Sequence, residues 1–523
     1  MRALALAGPF VLVALVCARL DARSATSAHA HVFLAQELVL ALGAALLAGA
    51  AAWTKLQVRR DRITVVVAVL ATLEVASAAC ASDPWLAMRS ATVWLAGLAV
   101  FLVARAIERD VREHAIGMLV VPLGLVAASV VFEALGLVHL SARHHAPGGL
   151  LGERNVAGEL LVAGAPAIGW TCLADGPAWR RRAGYAVLVL AACALVSTRT
   201  RSAWLAAIVL VVSVTGVGLT RALRGKRSGG EGRWRFLRLV LPIVIGCILA
   251  LSLPTTLRWR SAHPYRESLV HLVDSSTPSA AGRIVQYRAT WRMASANALL
   301  GVGPGNWAAQ YLSFAGPGDR TVHQGLAPVN RLPNSDLLGF AAERGLVAFG
   351  VLATLALLLA RQGGPSRSLR AVRRATLLVV AVTASLDAVL QTPAALLMVA
   401  WVLGVCSAST VRGRAPARST GERRASRLVF AFAALGLVVA CGPAGARVPS
   451  HRLAAHARSS GDLDRAARLD PGDVVLRLSA AESWIADGRC DRAREHLDAV
   501  AQFSPSSPAR GELEARCGAV SSR

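Results

Sequence analysis

The sequence predicts an all-α, polytopic membrane protein, and three observations carry that expectation. Of 523 residues 54% are hydrophobic and the mean hydropathy is +0.50, a balance too apolar for an ordinary soluble protein. The apolar residues gather into about thirteen runs that approach the thickness of a bilayer. Arginines collect in alternate connections between those runs, the pattern that the positive-inside rule leaves.

The first run, Ala3–Leu20, follows Arg2 and has no Ala-x-Ala cleavage site directly after it, so it reads as a retained span. Next come Val32–Trp53, Ile63–Ala81, Trp85–Ala106, Ala115–Leu140, Val156–Leu173, Ala183–Ser197, Ala203–Thr220 and Leu237–Leu253. After a long polar interval the apolar pattern returns at Leu337–Ala360, Ala375–Leu390, Ala394–Ser409 and Leu428–Cys441. Several of these fall short of the roughly 20 residues that a perpendicular span needs. The chain thus divides into an N-terminal transmembrane bundle (1–253), a large loop (254–336), C-terminal transmembrane helices (337–443) and a soluble segment (446–523).

A net charge of +26 raises the question of nucleic acid. The basic residues alternate with apolar spans and form no aromatic-interleaved face, so no nucleic-acid partner is expected. Lys55 to Arg62, Arg105 to Arg112, Arg180 to Arg182, Arg221 to Arg238, Arg361 to Arg374 and Arg412 to Arg427 mark the cytoplasmic side. The N-terminus is then cytoplasmic, and the 254–336 loop and the C-terminal segment face outward. Glu37, Glu74, Arg89, Glu133 and Glu159 lie within apolar runs, where an unpaired charge is expensive, and are expected to pair helix to helix. Nine cysteines show no Cys-x-x-Cys or Cys/His ligand spacing, so no metal site and no cofactor are expected.

The residues with chemistry are concentrated between Gly282 and Gly350. Gly301-Val-Gly-Pro-Gly-Asn306 must turn, since glycine costs about 1 kcal/mol and proline about 3 kcal/mol inside a helix. Before it, Arg283–Ala296 reads as a short amphipathic helix with Arg283, Tyr287 and Trp291 on one stripe and Arg288 and Arg292 on another. After it, Asn334-Ser335-Asp336 offers helix-start chemistry to the run that opens at Leu337. Upstream, Thr198-Arg-Thr-Arg-Ser-Ala-Trp204 sets Arg199 and Arg201 at the outward ends of two spans, where a planar guanidinium suits phosphate oxygens.

These elements, in this order, resemble the O-antigen ligase and polymerase superfamily, from roughly Gly149 to Gly404. The resemblance rests on Gly-Arg…Gln-x-Arg…Trp, Leu-Leu-Gly-Val-Gly-Pro-Gly-Asn-Trp, Pro-Asn-Ser-Asp-Leu…Glu-Arg-Gly-Leu and the Arg-Ser-Ala-Trp element. It implies a GT-C-like bundle in the bacterial inner membrane that moves a saccharide from a polyprenyl diphosphate carrier to a glycan or lipid acceptor at the outer face. Where many ligases carry a histidine, this chain has Pro333 before Asn334. The substrate-binding residues expected are therefore Arg201, Arg283, Arg288 and Arg331 on the diphosphate, with Asn306 at the cavity rim. Asp336 stands nearest as a base, Asn334 would orient the acceptor, and His323 is a further titratable residue of the loop. Ligase and polymerase share one donor chemistry and are not separated by these residues.

Beyond Gly445 the pattern is soluble and helical. Ala467 and Pro471 match Ala501 and Pro505 at the 34-residue tetratricopeptide period, which would make the segment a small extracytoplasmic partner-binding domain. Cys490 and Cys517 both lie there, where a disulfide is permitted. Two other classes share the polytopic frame: a non-catalytic assembly protein, which the absent histidine and the repeats would suit, and a transporter, for which no pair of broken spans repeats across the halves.

Overall fold

The computed structural model describes residues 2–18, 28–54, 56–58, 61–108, 111–141, 145–223, 231–257, 259, 261, 263–271, 278–316, 319, 332–364, 366–407 and 420–521. No strand occurs among them. In chain order the helices are α1 (Arg2–Cys17), α2 (Ala28–Trp53), α3 (Arg62–Ala79), α4 (Pro84–Ala106), α5 (Arg112–Gly117), α6 (Val120–Ala134), α7 (Arg154–Leu173), α8 (Ala178–Thr198), α9 (Arg201–Leu223) and α10 (Glu231–Ser252). Within the central interval follow α11 (Pro264–Val270), α12 (Pro278–Ala296) and α13 (Trp307–Phe314), then α14 (Asp336–Arg361), α15 (Arg367–Leu386), α16 (Pro393–Ser407) and α17 (Thr420–Ala455). The C-terminal segment holds α18 (Ser460–Leu469), α19 (Val474–Ala486), α20 (Cys490–Phe503) and α21 (Pro508–Ser521).

Every apolar run expected from the sequence meets a helix, with α5 and α6 sharing one run. Eight helical stretches are long and apolar enough to cross a membrane, and four shorter ones, including Leu237–Ser252 and Pro393–Ser407, are apolar but brief. α15 carries Arg367, Arg370, Arg373 and Arg374 in its first two turns and falls outside both groups. The centre of the bundle is α16, whose residues are all buried against α4, α7 and α15. A short helix suffices there because its neighbours cover it on every side.

The helix starts follow local chemistry. Asp83 caps α4 by accepting from the amides of Trp85 and Leu86, with Pro84 at the first helical position where its missing N–H is no loss. Ser335 caps α14 by accepting from Leu338 N, and Ser366 caps α15 by accepting from Leu369 N. Of the charges expected to pair helix to helix, Glu37, Arg89 and Glu74 do so with an opposite charge, while Glu133 accepts from the amides of a connecting segment and Glu159 from the Ser202 hydroxyl. Glu37 accepts a two-pronged bond from Arg89 (2.7 and 2.8 Å), and Glu74 does the same from Arg344 (2.5 and 2.9 Å).

The soluble segment is joined to the last span without a break, since α17 continues through position 446, the expected domain boundary. α18 packs on the end of α17, and α18 to α21 then pack in succession. α19 opens at Val474 and α21 at Pro508, 34 residues apart. Cys490 and Cys517 form a disulfide between α20 and α21, with Cα atoms 5.6 Å apart.

Candidate active site

At one end of the bundle the chain encloses a cavity of about 530 Å³. Its floor comes from the N-terminal halves of α2, α4 and α7 (Glu37, Arg89, Trp94, Glu159) and its sides from His145 and Glu153 ahead of α7 and Arg154 and Asn155 in its first turn. Asn334, Asp387 and Gln391 close a third side, Ala308 and Leu312 of α13 a fourth, and the soluble segment covers the rest. Consecutive spans reverse direction, so these residues share one side of the bundle.

The segment before α7 is held from below by Glu133, whose carboxylate accepts from the amides of Leu140 (2.9 Å), Ser141 (2.5 Å) and Gly149 (2.7 Å). Gly149 and Gly152 have positive φ (57° and 73°), which lets the segment fold back until Arg154 N reaches His145 O at 3.1 Å. This folding sets His145 Nδ1 against the Glu153 carboxylate on the cavity wall. A carboxylate on one ring nitrogen fixes which nitrogen carries the proton and orients the ring. Arg154 and Arg199 both lie over the ring of Trp259, at 5.4 and 4.7 Å from its centre.

The Thr198–Trp204 element is stitched onto the same place. Thr200 Oγ1 donates to Arg154 O (3.1 Å), Ser202 Oγ to Glu159 (2.8 Å) and Trp204 Nε1 to Leu195 O (2.7 Å). Arg199 adopts a left-handed φ of 54° as the cap of α8, donates to Ser268 Oγ at 2.8 Å and approaches Glu267 at 3.5 Å. Arg201 is half-buried and donates to His271 O at 3.3 Å. It stands near the cavity without lining it.

α12 faces the third side. Arg283 donates to Leu386 O (2.6 Å) and to Asp387 (3.2 Å), so its contact with the cavity runs through Asp387. Tyr287 OH donates to Asn334 O at 3.0 Å, and burial pushes its phenol upward from the usual value. Asn334 donates to Gln286 Oε1 and lines the cavity. Arg288 lies on the exposed side of α12 and makes no hydrogen bond among the described residues.

Two expected site residues sit elsewhere. Asp336 is 3% exposed, and one carboxylate oxygen accepts from Val389 N (2.6 Å) and Leu390 N (2.7 Å), tying α14 to the turn after α15. It does not line the cavity. Asn306 is fully buried: its side chain accepts from Asp83 N (2.9 Å) and Ser82 Oγ (3.1 Å) and donates to the carbonyls of Asp83 and Pro304 (both 3.1 Å). All its hydrogen-bonding capacity goes to the frame, which leaves none for a substrate. Arg331 and His323 lie outside the described residues.

The glycine turn seats this frame. Gly301, Gly303 and Gly305 have φ of 71°, 102° and 71°, and a Cβ on Gly301 would lie 2.2 Å from the Glu343 carbonyl carbon. Val302 N and Gly303 N donate to the carbonyls of Ala342 and Glu343 (3.0 and 2.9 Å), so the turn clips onto the Glu-Arg-Gly stretch of α14. There Arg344 bonds Glu74, Glu343 and Ser90 while its guanidinium faces the rings of Trp94 and Phe340. Gly305 lines the cavity, whereas Gly301, Gly303, Glu343 and Arg344 organise the wall without lining it.

One cluster was not anticipated. His451, Asp470 and Asp473 bring three ligand-type atoms within 4.8 Å, and Arg447 reaches Asp470 at 3.4 Å. Burial works against the Asp470 carboxylate, yet the hydrogen bond from His451 and the charge of Arg447 hold it below the ordinary carboxylate range. The guanidinium already neutralises this group.

The fold and the cavity define a multi-pass helical membrane protein with a chamber of mixed polar and apolar lining at one end. Residues 186–353, about a third of the chain, match the O-antigen ligase family (Wzy_C), and the chain carries the ligase-type region over that span. The match supports an O-antigen ligase or polymerase-like family, and with it glycosyl transfer as the class of activity. No curated protein matches the chain. The matched region contains the arginine element, α12, the glycine turn and the start of α14, but not His145, Glu153 or Arg154. These three were missed in the sequence because they fall between two apolar runs, although His145-Ala-Pro-Gly-Gly-Leu-Leu-Gly-Glu-Arg-Asn155 is dense in polar and titratable residues for so short a connection.

Proposed function

We propose that the protein transfers a saccharide from a polyprenyl diphosphate carrier to a hydroxyl of a glycan or lipid acceptor, at the outer face of a bacterial inner membrane. The single observation that carries the reading is the His145–Glu153 pair on the wall of a chamber that Gly305, Ala308, Leu312 and Asn334 of the O-antigen ligase region also line. The lining is rich in carboxylates, with Glu37, Glu153, Glu159, Asp387 and Asp473 against Arg89 and Arg154. Such a surface suits sugar hydroxyls, and the diphosphate belongs at its basic edge near Arg154, Arg199 and Arg201.

In the proposed step the acceptor oxygen forms a bond to the anomeric carbon and passes its proton to His145. The carbon–oxygen bond to the diphosphate breaks, and the leaving group departs with the electron pair. Glu153 orients the imidazole and balances the charge it gains. Arg154 and Arg201 hold the growing negative charge, which requires no metal in this scheme. Arg283 acts through Asp387, Arg288 meets the donor or its headgroup neighbours from the exposed side of α12, and Arg331 belongs to the same loop. Asn334 orients the acceptor, and Asp336 holds the turn that carries Asp387. The C-terminal hairpins are tetratricopeptide-like and offer a surface to a protein partner.

Purified protein in lipid nanodiscs, supplied with polyprenyl diphosphate oligosaccharide and acceptor, should release polyprenyl diphosphate. His145→Gln keeps the size and the contact with Glu153 but removes the base, and should lower turnover by about 10²–10⁴-fold at normal abundance. Failure of the wild-type protein to turn over the carrier would leave the assembly-protein reading, which the Pro333 in place of the usual histidine favours.

A further inference from the structure

The soluble segment is built into the cavity and not merely tethered beside it. Gly472, Asp473, Val475, Leu478, Ser504 and Ser507 line the same chamber as His145 and Glu153. The seating is specific. Arg447 of α17 donates to Trp85 O at 2.9 Å, and a Cβ on Gly472 would lie 2.6 Å from Trp85 Cβ and 2.9 Å from the Asp83 carboxylate. Across the other edge, Ser504 Oγ donates to Ala309 O (2.9 Å), Gln310 Nε2 donates to Phe503 O (3.3 Å), and Ser313 and Ser506 share a hydroxyl contact of 2.9 Å. Contacts on two sides, together with the unbroken α17, fix this wall relative to the base.

We propose that the first turn of α19 and the connection between α20 and α21 form the acceptor subsite, and that its ligand is the hydroxyl-rich end of a saccharide. The proposal rests on the transferase reading above. The wall offers a serine hydroxyl and a carboxylate beside the aliphatic surfaces of Val475 and Leu478, a mixture that suits a sugar ring with one polar edge and one apolar face. It carries no cation, so it does not suit the diphosphate, which is matched by the arginines at the far edge. The donor lipid must approach from the flank of the bundle, where the spans are. That leaves the soluble wall to receive the second substrate, with His145 between the two.

Two readouts separate this proposal from the one it rests on. The probe is a mixture of oligosaccharides released by mild acid from the cell's own surface glycan, and its binding to the full-length protein is followed by tryptophan fluorescence without any donor. Val475→Trp and Ser507→Tyr, which project bulk from the wall, should weaken probe binding at least 10-fold and raise the acceptor KM equally, while the donor KM changes less than 2-fold. Limited proteolysis reports that the segment is still folded: residues 446–521 of each variant should resist cleavage as the wild-type segment does, with the Cys490–Cys517 bridge intact. Val475→Ala and Ser507→Ala, which only remove atoms, should weaken binding 2- to 5-fold. Wild-type affinity in the folded variants would overturn the subsite. Probe binding that is lost in the variants, in a wild-type protein that never turns over the carrier, would sustain the subsite and overturn the transferase.

Discussion

Arg283 and Asp336 grip the same short turn from opposite sides. Arg283 holds Leu386 O and the Asp387 carboxylate, and Asp336 holds the amides of Val389 and Leu390. The two substitutions should therefore separate positioning from proton transfer. Arg283→Lys keeps the charge but lacks the planar fork, so Asp387 loses its fixed orientation and turnover should fall by about 10²-fold. Arg367→Lys, on an exposed residue at the opposite end of the bundle, should match wild type. Asp336→Asn still presents an oxygen to the two amides and should retain most of the rate, as measured by carrier release at equal protein abundance. A loss as large as that of His145→Gln would return the role of base to Asp336.

The start of α4 is where the soluble segment meets the bundle, and it carries a titratable cap. Burial pushes the Asp83 carboxyl up to about 6 from its ordinary 3.8; the Leu86 and Trp85 amides and Arg447 oppose that rise, and Asp470 adds to it. A raised carboxyl means that the folded state holds its proton more tightly than the unfolded chain does. The associated stability is complete below about pH 4 and is lost as pH rises through about 6. Wild-type protein should therefore lose thermal stability between pH 5 and 7.5 relative to Asp83→Asn, which stays neutral and can still cap the helix. Parallel melting curves for the two proteins across that range would contradict the shift. The helices themselves were legible in the sequence because apolar runs and caps such as Ser335 act locally. The partners of Asn306 and Asp336 were not, since Asp83 lies 223 residues from Asn306 and Val389 lies 53 from Asp336. His145 escaped for the opposite reason: its partner Glu153 is close in sequence, but only the fold-back through Gly149 and Gly152 brings the pair together.

At the scale of the whole molecule, the cavity, the glycine turn and the C-terminal hairpins lie at one end of the bundle, and buried arginines such as Arg105 and Arg373 lie at the other. Reporter fusions at Ala315 and Ser506 should accordingly give the same, extracytoplasmic, signal; opposite signals would separate the soluble wall from the chamber it covers. The unbroken α17 has a consequence of its own. A helix advances about 1.5 Å and turns about 100° with each residue, so the length of α17 between the bilayer and Arg447 sets both the height and the facing of everything beyond it. One residue gained or lost in that stretch would swing α19 away from His145 while leaving every contact inside the hairpins intact. The spacing along a single helix thus acts as a ruler, and the chamber has its covering wall only at one setting of it.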